Sequence, residues 1–292
     1  MENISLSQLL KKHGFFFKKK FGQNFISDKN LLSDIVEKSA VDKDGTVIEI
    51  GAGAGTLTRE LAKSARRVIS FEIDKSLEGV LSDMTQDLQN IEFIFADFMR
   101  YSMDELENKI NGGYIVVANL PYYITTPVIM RFIEESKNCD KIAVMVQKEV
   151  AQRFCAKENT AEYGAVTAVI ALEHSARIIK TVPRRAFYPV PNVDSAVVEI
   201  TKERGKHTFL SLDMYKLTVK CAFLNRRKTL ANNLMSFFGL TRKQAENALT
   251  NCGIDFLARG ETLSVKDFIK LSDFLFENFK NSLAARTSAL KQ

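Results

Sequence analysis

A glycine-rich loop that follows a short apolar segment constrains this chain more than any other feature. The residues TVIEI at 46–50 are suited to a buried strand, and they are followed at once by Gly51, Gly53 and Gly55. Glycines at this point allow a tight turn and let a ligand approach the backbone closely. A dinucleotide-binding loop of the GxGxxG type would need glycine at position 56, where the chain has Thr56. The spacing therefore predicts a ligand site at the end of a strand, but not a site of the GxGxxG dinucleotide-binding type.

Short apolar segments alternate with helical patterns from about residue 28 to residue 200. Near-continuous apolar strands with intervening helices imply a parallel sheet that is covered on both faces. Further strands are expected within 165–200, where prolines interrupt the pattern. The five clearest strand segments are 46–50, 67–73, 91–97, 114–120 and 141–147.

The pattern changes near residues 203–208 and is helical from there to the end of the chain, with apolar residues at i, i+3 and i+4. We therefore expect an α/β fold with a smaller all-α domain at its C-terminus. The predicted divisions are a basic and aromatic arm over 1–27, a Rossmann-like domain over 28–204 and a helical domain over 205–292.

Composition narrows the class of protein. Of the 292 residues, 46% are hydrophobic and 26% are charged, which is the balance of an ordinary globular protein. The cysteines form no CxxC pair and the histidines are scattered, so neither a disulfide framework nor a metal site is predicted. No segment has the apolar length of a signal peptide or a membrane span, and a cytoplasmic protein is expected. The net charge of +6 is compatible with a nucleic-acid partner and does not by itself establish one.

Two acidic residues stand at the ends of the second and third predicted strands. Glu72 lies about twenty residues beyond the loop, where a carboxylate can accept hydrogen bonds from both hydroxyls of a ribose. Asp97 could accept from an adenine amino group, with Phe98 against the ring; the alternative for both acids is a solvated strand end or a helix N-cap. The spacing E-x-G-x-G-x-G is similar to that of class I methyltransferases, which predicts S-adenosylmethionine as the cofactor. Glu49, which begins this spacing, is expected to be structural or a secondary contact.

The tetrapeptide Asn119-Leu120-Pro121-Tyr122 follows the fourth predicted strand, at the edge where open α/β sheets bind ligands. Its residue types suit methyl transfer to an exocyclic amine, because adenine N6 is a poor nucleophile whose lone pair is delocalised into the ring. The Asn119 side-chain oxygen and the Leu120 carbonyl can accept from the amine and favour a more tetrahedral nitrogen. Pro121 makes the turn rigid, and Tyr122 can stack on the base. Placement and electrostatic complementarity carry the rate, so no strong general base is required. The alternative is a turn with an Asn cap and a packed tyrosine.

Six motifs occur along the chain in a specific order: KFGQNF at 20–25, EIGAGAGTLT at 49–58, NLPYY at 119–123, QKEVAQR at 147–153, FYPVPNVDSAVV at 187–198 and AFLNRRKTL at 222–230. Together they closely resemble the KsgA (RsmA) family of small-subunit ribosomal RNA adenine dimethyltransferases, over residues 18–275. The chain departs from that pattern at Ala52, where the family usually has proline, and at Ile26, where it has leucine.

The resemblance implies a reaction and the residues that perform it. The reaction is the transfer of methyl groups from S-adenosylmethionine to N6 of two adjacent adenosines in a hairpin loop near the 3′ end of 16S rRNA. It implies that Glu72 holds the cofactor ribose and Asp97 its adenine, and that Phe187 stacks on the target base opposite Tyr122. The cofactor-binding set is Asn24, Ile26, Gly51, Gly53, Glu72, Ile73, Asp97, Phe98 and Asn119, and the catalytic set is Asn119, Leu120, Pro121, Tyr122 and Phe187.

Two basic segments are candidates for RNA binding. The N-terminal stretch KKHGFFFKKKFG alternates basic and aromatic residues, which bind phosphate and stack on unpaired bases. Residues 214–245 contain seven lysines and arginines and no acid, and are expected to hold RNA while the target base leaves its stack. The alternatives are a solvated surface and, for Phe15–Phe17, a packed core. The predicted RNA-binding residues are Lys18, Lys19, Lys20, Arg226, Arg227 and Lys228.

Two other functions stay open on the sequence alone. One is the related large-subunit rRNA adenine methyltransferase of macrolide resistance, which has a similar Asn-Pro-Tyr core; the FGQNF start and the NRRKT segment favour the small-subunit family. The other is a non-enzymatic assembly factor with a vestigial pocket. The expected partner is small-subunit rRNA within a 30S assembly intermediate, and the expected protein is a monomer that acts in small-subunit biogenesis.

Overall fold

The computed structural model describes residues 5–18 and 21–290, with side chains as far as residue 279. The strands are β1 (Phe25–Ile26), β2 (Thr46–Ile50), β3 (Arg67–Glu72), β4 (Ile91–Phe95), β5 (Tyr114–Asn119), β6 (Cys139–Gln147), β7 (His174–Val182), β8 (Phe187–Tyr188) and β9 (Ser195–Lys202). The helices are α1 (Leu6–Lys12), α2 (Lys29–Lys38), α3 (Thr56–Ser64), α4 (Glu78–Thr85), α5 (Met103–Ile110), α6 (Tyr122–Glu135), α7 (Lys148–Phe154), α8 (Ala165–Glu173), α9 (Leu212–Ala222), α10 (Leu230–Phe238), α11 (Arg242–Asn251) and α12 (Val265–Leu290).

A seven-stranded sheet with the order β4-β3-β2-β5-β6-β9-β7 forms the centre of the α/β part. The five strands predicted from apolar runs, β2 to β6, pair in parallel, while β9 pairs antiparallel to β6. Strand β2 is buried along its whole length, as expected for a central parallel strand. This arrangement is the Rossmann-like methyltransferase fold that the sequence predicts, and it brings the carboxyl ends of β2, β3, β4 and β5 to one edge of the sheet.

The chain divides into two units. The first contains residues up to 151 together with 176–202, and the second contains 152–175 together with 203–292. Residues 152–175 were expected in the α/β domain, but they group with the C-terminal helices, where Tyr215 donates to the Ala168 carbonyl and Tyr163 to the Leu263 carbonyl.

The further strands expected within 165–200 are β7, β8 and β9, while Ala165–Glu173 at the start of that stretch forms helix α8. The apolar run Ala165–Leu172, interrupted only by Thr167, has no periodicity that distinguishes a buried helix from a buried strand. Here burial on several sides of the helix, within the core of the second unit, selects the helix.

The N-terminal segment belongs to the first unit and is not a separate arm. Leu9 and Leu10 of α1 are buried in one cluster with Phe25, Leu77 and Leu81. Ser5 begins α1 with a capping box, in which its hydroxyl accepts from the Gln8 amide. The predicted division at residue 27 therefore falls inside a packed part of the fold.

The second unit is helical, and its ends are marked by local sequence signals. Thr229 caps α10, Gly239 ends it in the left-handed conformation, and Thr241 with Gln244 forms a capping box at α11. Among the described residues, no helix is both long and apolar enough to cross a membrane. Within that same part of the chain, no three histidine, cysteine or acidic side chains come together as a set of metal ligands.

Candidate active site

A cavity of the first unit lies at the carboxyl ends of β2, β3, β4 and β5, which is where open α/β sheets bind ligands. The structure brings nearly all of the predicted cofactor and catalytic residues together in this cavity. Those that line it are Asn24, Ile26, Gly51, Gly53, Glu72, Ile73, Asp97, Phe98, Asn119, Leu120, Pro121 and Tyr122.

The glycine loop between β2 and α3 uses the conformational freedom that only glycine has. Gly51, Gly53 and Gly55 have φ angles of 80°, 56° and 79°, in the left-handed region that other residues rarely adopt. At Gly53 a Cβ atom would also lie 2.9 Å from the Phe25 ring. The loop is fixed to the neighbouring strand, because the amides of Gly51 and Ala52 both donate to the Phe71 carbonyl, at 2.8 and 3.0 Å.

Glu72, at the end of β3, has both carboxylate oxygens directed at backbone amides. Its Oε2 accepts from the Gly53 amide and its Oε1 from the Asp74 amide, each at 2.8 Å. Burial raises the pKa of the Glu72 carboxyl, although these amide hydrogen bonds act to lower it. The carboxylate is thus anchored at the cavity wall between the glycine loop and the strand end, with acceptor capacity remaining for ligand hydroxyls.

Asp97 lies one strand further along the same edge. Its Oδ1 accepts from the Met99 amide at 3.0 Å, so that it caps the short 3-10 helix Phe98–Arg100, the N-cap role weighed as an alternative from the sequence. The Phe98 ring stacks on Phe132 at 5.0 Å, and the Arg131 guanidinium lies 5.1 Å from the Phe98 ring centre. Asp97 and Phe98 therefore line the cavity on a rigid support.

Glu49 lies in β2 behind the loop and is fully buried. Its Oε2 accepts from the hydroxyls of Thr58 and Ser70, each at 2.6 Å, while its Oε1 has no hydrogen-bond partner among the described residues. Burial raises its pKa to about 8, against the lowering effect of the two hydroxyls. Glu49 is outside the cavity lining, in agreement with the structural role expected for it.

Asn119 ends β5, and its side chain is oriented by the N-terminal segment. The Asn119 Nδ2 donates to the main-chain carbonyl of Asn24 at 3.1 Å. A carbonyl oxygen can only accept a hydrogen bond, so the side-chain nitrogen of Asn119 must face Asn24 and its oxygen, Oδ1, must face away from Asn24. The Asn24 side chain in turn donates to the Gly22 carbonyl at 3.2 Å, which fixes the turn that presents the Asn24 carbonyl.

Tyr122 begins α6, and its ring is held at its far end. Its hydroxyl shares a hydrogen bond of 2.8 Å with the Ser195 hydroxyl, and Ser195 is completely buried at the start of β9. The Thr125 hydroxyl donates to the Pro121 carbonyl at 3.0 Å and tightens the same turn. The role of Ser195 is not visible in the sequence, because nothing in its spacing shows that β9 lies beside β6 and places it near Tyr122.

Phe187 differs from the expectation. It was predicted to stack on a base opposite Tyr122, but it is only 3% exposed and packs in the hydrophobic core with Val182 and Val197. In the two-stranded β1–β8 sheet it lies opposite Ile26. Among the described residues that line the cavity, Phe187 is absent. In this structure its ring has no face available for stacking.

Among the predicted N-terminal RNA-binding residues, Lys18 forms hydrogen bonds within the protein. The Lys18 ammonium donates to Asp74 Oδ1 at 2.6 Å and to the Ser76 hydroxyl at 2.9 Å. Phe15 and Phe17 pack against the cluster around Phe25, whereas Phe16 is exposed. Lys19 and Lys20 lie outside the described residues.

The basic residues of the second unit also differ from one another. Arg227 and Lys228 are exposed. The Arg226 guanidinium donates to the carbonyls of Ala161 and Tyr163, at 3.0 and 2.8 Å, and so helps to hold the segment 152–175 in the second unit. A substitution at Arg226 therefore affects this segment as well as any RNA contact.

Comparison with known proteins is consistent with this geometry. A family model described as "Ribosomal RNA adenine dimethylase" matches residues 14–277. The chain is 42% identical over 278 residues to the "Ribosomal RNA small subunit methyltransferase A" of Streptococcus thermophilus, covering 92% of this chain and 95% of that protein.

Two solved structures are similar over most of the chain. The 23S rRNA methyltransferase ErmE is 27% identical with a TM-score of 0.66, covering 86% of this chain and 99% of that one. A dimethyladenosine transferase from Plasmodium falciparum is 22% identical with a TM-score of 0.73, covering 88% and 98%, which supports the fold alone.

Proposed function

This chain belongs to the ribosomal RNA adenine dimethylase family, and we propose on that premise that it dimethylates N6 of two adjacent adenosines near the 3′ end of small-subunit rRNA, with S-adenosylmethionine as the methyl donor. The observation that carries the proposal is the oriented Asn119 amide at the edge of a cavity that also contains Glu72 and Asp97. The expected substrate is a hairpin loop of 16S rRNA within a 30S assembly intermediate, which would place the reaction in the cytoplasm.

The residues that line the cavity fit S-adenosylmethionine. Glu72, held by two backbone amides, offers a fixed carboxylate to ribose hydroxyls, and Asp97 offers one to the adenine amino group. Beside them, the exposed side chain of Ile73 and the ring of Phe98 form an apolar wall for a purine. The positive φ angles at Gly51 and Gly53 leave the backbone open to the amino-acid end of the cofactor. When bound, S-adenosylmethionine supplies an electrophilic methyl group on a sulfonium.

The chain's own contribution to the reaction is the placement of the target amine. Asn119 Oδ1 and the Leu120 carbonyl accept from the amine hydrogens, which draws the nitrogen lone pair out of conjugation with the ring. Because Asn24 holds the Asn119 amide, the acceptor is already oriented before the substrate arrives and no reorganisation is required at the moment of reaction. The reaction then depends on in-line geometry, without a strong general base.

Tyr122 provides the aromatic face on which the target base stacks. Its hydroxyl contact with Ser195 restricts the ring, so little conformational freedom is lost when a base binds. The role assigned to Phe187 by resemblance requires its buried ring to become accessible on RNA binding. Recognition of the rest of the RNA is assigned to Lys18–Lys20 and to Arg227 and Lys228 of the helical unit, acting on backbone and shape.

The alternatives are less well supported. The chain is 42% identical to a small-subunit enzyme and 27% identical to the large-subunit enzyme ErmE, which favours the small subunit. A purely structural assembly factor would not require the hydrogen bond between Asn119 and Asn24 or the anchored Glu72 carboxylate. We also propose that the enzyme is a monomer and that it acts in small-subunit biogenesis.

The experiment that tests the function is mass spectrometry of rRNA after incubation of unmodified small or large subunits with protein and S-adenosylmethionine. We expect dimethyladenosine in the 3′ hairpin of small-subunit rRNA. Asn119→Ala should reduce kcat by about 100-fold or more, the usual effect of removing one oriented polar group from a transition state. Binding of the variant to small subunits should be retained.

Asn108→Ala, at an exposed position of α5, is the matched control and should behave as the wild-type protein. Methylation of large subunits instead, or an undiminished dimethyladenosine yield from Asn119→Ala, would contradict the proposal.

A further inference from the structure

Tyr188 is an aromatic residue beside the cavity to which the sequence analysis assigned no role. In the β1–β8 ladder it lies opposite Phe25, which lines the cavity. Successive residues of a strand point to opposite faces, so the ladder buries Phe187 and leaves Tyr188 49% exposed. Tyr188 is therefore the ring of this strand that an RNA can reach without rearrangement of the core.

The Tyr188 ring is held in place by other aromatic rings. Its centre lies 5.4 Å from that of Phe17 in an edge-on arrangement, and Phe17 lies 5.4 Å from Phe25. The Phe25 ring in turn packs on the glycine loop, at the position that a Cβ of Gly53 would occupy. A continuous set of contacts thus joins the cofactor loop to the exposed ring, and a ring that is already ordered loses little freedom when a ligand stacks on it.

Tyr188 lines a groove that also contains Lys29, Arg59 and Glu60, and two arginines precede it in the chain. Arg184 and Arg185 are both exposed in the short 3-10 helix that leads into β8. The Arg184 amide donates to Asp194 Oδ1 at 2.9 Å, which closes the loop that runs from Arg184 to Asp194. Within this loop Val190 is also largely exposed. Exposed cations beside an exposed ring are the combination that binds single-stranded nucleic acid.

The loop is also anchored to the catalytic residues. The Lys148 amide donates to the Asp194 carbonyl at 3.0 Å, and the next residue, Ser195, holds the Tyr122 hydroxyl. The short segment 187–195 therefore contains both Tyr188, which lies opposite the cavity-lining Phe25, and Ser195, which holds the Tyr122 ring.

We propose that Tyr188, with Arg184 and Arg185, forms a stacking surface for the unpaired RNA base next to the target adenosine. This proposal rests on the proposed function, in which two adjacent adenosines are modified. While one adenine occupies the cavity, its neighbour stacks on Tyr188, and Arg185 binds the phosphate between or beside them. The surface thereby sets which nucleotide of the pair enters the cavity.

The test uses a hairpin RNA with the sequence of the small-subunit 3′ loop, carrying 2-aminopurine next to the target adenosine. Stacking on tyrosine quenches 2-aminopurine fluorescence. With the wild-type protein we expect quenching on binding, and with Tyr188→Ala we expect the quenching to be lost. Tyr188→Ala should also raise the KM for RNA about 5- to 150-fold, the loss expected for one base–aromatic stack, with kcat much less affected.

Three controls separate stacking from a general structural effect. Tyr188→Phe retains the ring and should retain both the quenching and the KM. Ile178→Ala removes an exposed apolar side chain elsewhere in the same unit and should behave as the wild-type protein. Arg185→Gln should remove one phosphate contact and so reduce the slope of log affinity against log salt concentration by about one. The dissociation constant for S-adenosylmethionine should be the same in all variants.

The two proposals fail in distinguishable ways. If the wild-type protein does not methylate small-subunit rRNA, the proposed function is wrong. If it does, and Tyr188→Ala has the wild-type KM and quenching, the Tyr188 surface is wrong while the function stands. Weakened binding to intact subunits with unchanged binding to the hairpin would assign Tyr188 to a ribosomal protein, and would also overturn the proposal.

Discussion

Replacing Glu49 by glutamine should stabilise the first unit at neutral pH and remove a pH dependence from its stability. Glu49 is fully buried in β2, and Oε2 accepts from Thr58 and Ser70 while Oε1 lacks a partner among the described residues. Burial without a countercharge disfavours the carboxylate and raises the pKa of Glu49 to about 8. The folded protein therefore binds a proton that the unfolded chain releases above its ordinary pKa of about 4.3.

The size and sign of the effect follow from these two pKa values. Since the pKa is raised in the folded state, the stabilising contribution is complete below the unfolded pKa and is lost as the pH rises towards 8. Each pH unit within that window lowers the free energy of unfolding by about 1.4 kcal/mol, so the loss at pH 7 is about 4 kcal/mol. Glutamine is similar in shape and cannot ionise, so the variant should gain about that amount at pH 7 and almost nothing at pH 4.

The assay is urea unfolding followed by circular dichroism at pH 4.5, 6 and 7.5. The control is Glu37→Gln, at an exposed position of α2, which should follow the wild-type protein at every pH. The difference between Glu49→Gln and wild type should grow steadily with pH. A difference that is independent of pH, or a variant that is less stable at all three values, would mean that the carboxylate is charged in the folded protein and would refute the reasoning.

Two further predictions test other parts of the first unit. The pKa of Glu107 is shifted in the opposite direction to that of Glu49. Burial acts to raise it, but hydrogen bonds from Ser136 and from the amides of Asn138 and Lys137 hold the pKa below its usual range. The contribution of Glu107 to the free energy of unfolding is therefore present above the unfolded pKa and is lost as the pH falls through the folded pKa. Glu107→Gln should lower the free energy of unfolding at pH 7 by about 2–4 kcal/mol in the same urea assay, with less effect in acid; an equal loss at every pH would contradict it. Ser195→Ala and Tyr122→Phe each remove the same hydrogen bond, so in a double-mutant cycle on kcat/KM the double variant should be no worse than the poorer single variant, with a coupling of about 0.5–1.5 kcal/mol. Additive losses would show that the contact does not position the ring.

The site residues that can be predicted from the sequence are those that stand at the ends of strands. Glu72 and Asp97 each stand where an apolar run stops, and parallel strands bring such positions to one edge. The Asn119 tetrapeptide is predictable for the same reason. The contacts that orient these residues could not be predicted in this way, because Asn24 lies 95 residues before Asn119 and Ser195 lies 73 residues after Tyr122.

The basic and aromatic content of a segment indicates that it can bind nucleic acid, but it does not show which of its residues are available to do so. The sequence identifies a basic, aromatic N-terminus, but it does not show that Lys18 is paired with Asp74 or that Arg226 binds backbone carbonyls. In the same way, Phe187 and Tyr188 are adjacent aromatic residues, and only the pairing of β8 with β1 shows which of them is buried. Partners that are distant in the sequence decide whether a side chain is available to a ligand.

The N-terminal segment contacts several residues of the cavity. Its Asn24 carbonyl orients Asn119, and its Phe25 ring packs on Gly53 of the cofactor loop. Its Lys18 binds Asp74, whose amide donates to the carboxylate of Glu72. One short segment therefore contacts Asn119, the glycine loop and the residue that supports Glu72, so a change in its position would alter all three together. Under the proposed function, this arrangement couples the binding of the cofactor to the orientation of Asn119, which faces the target amine.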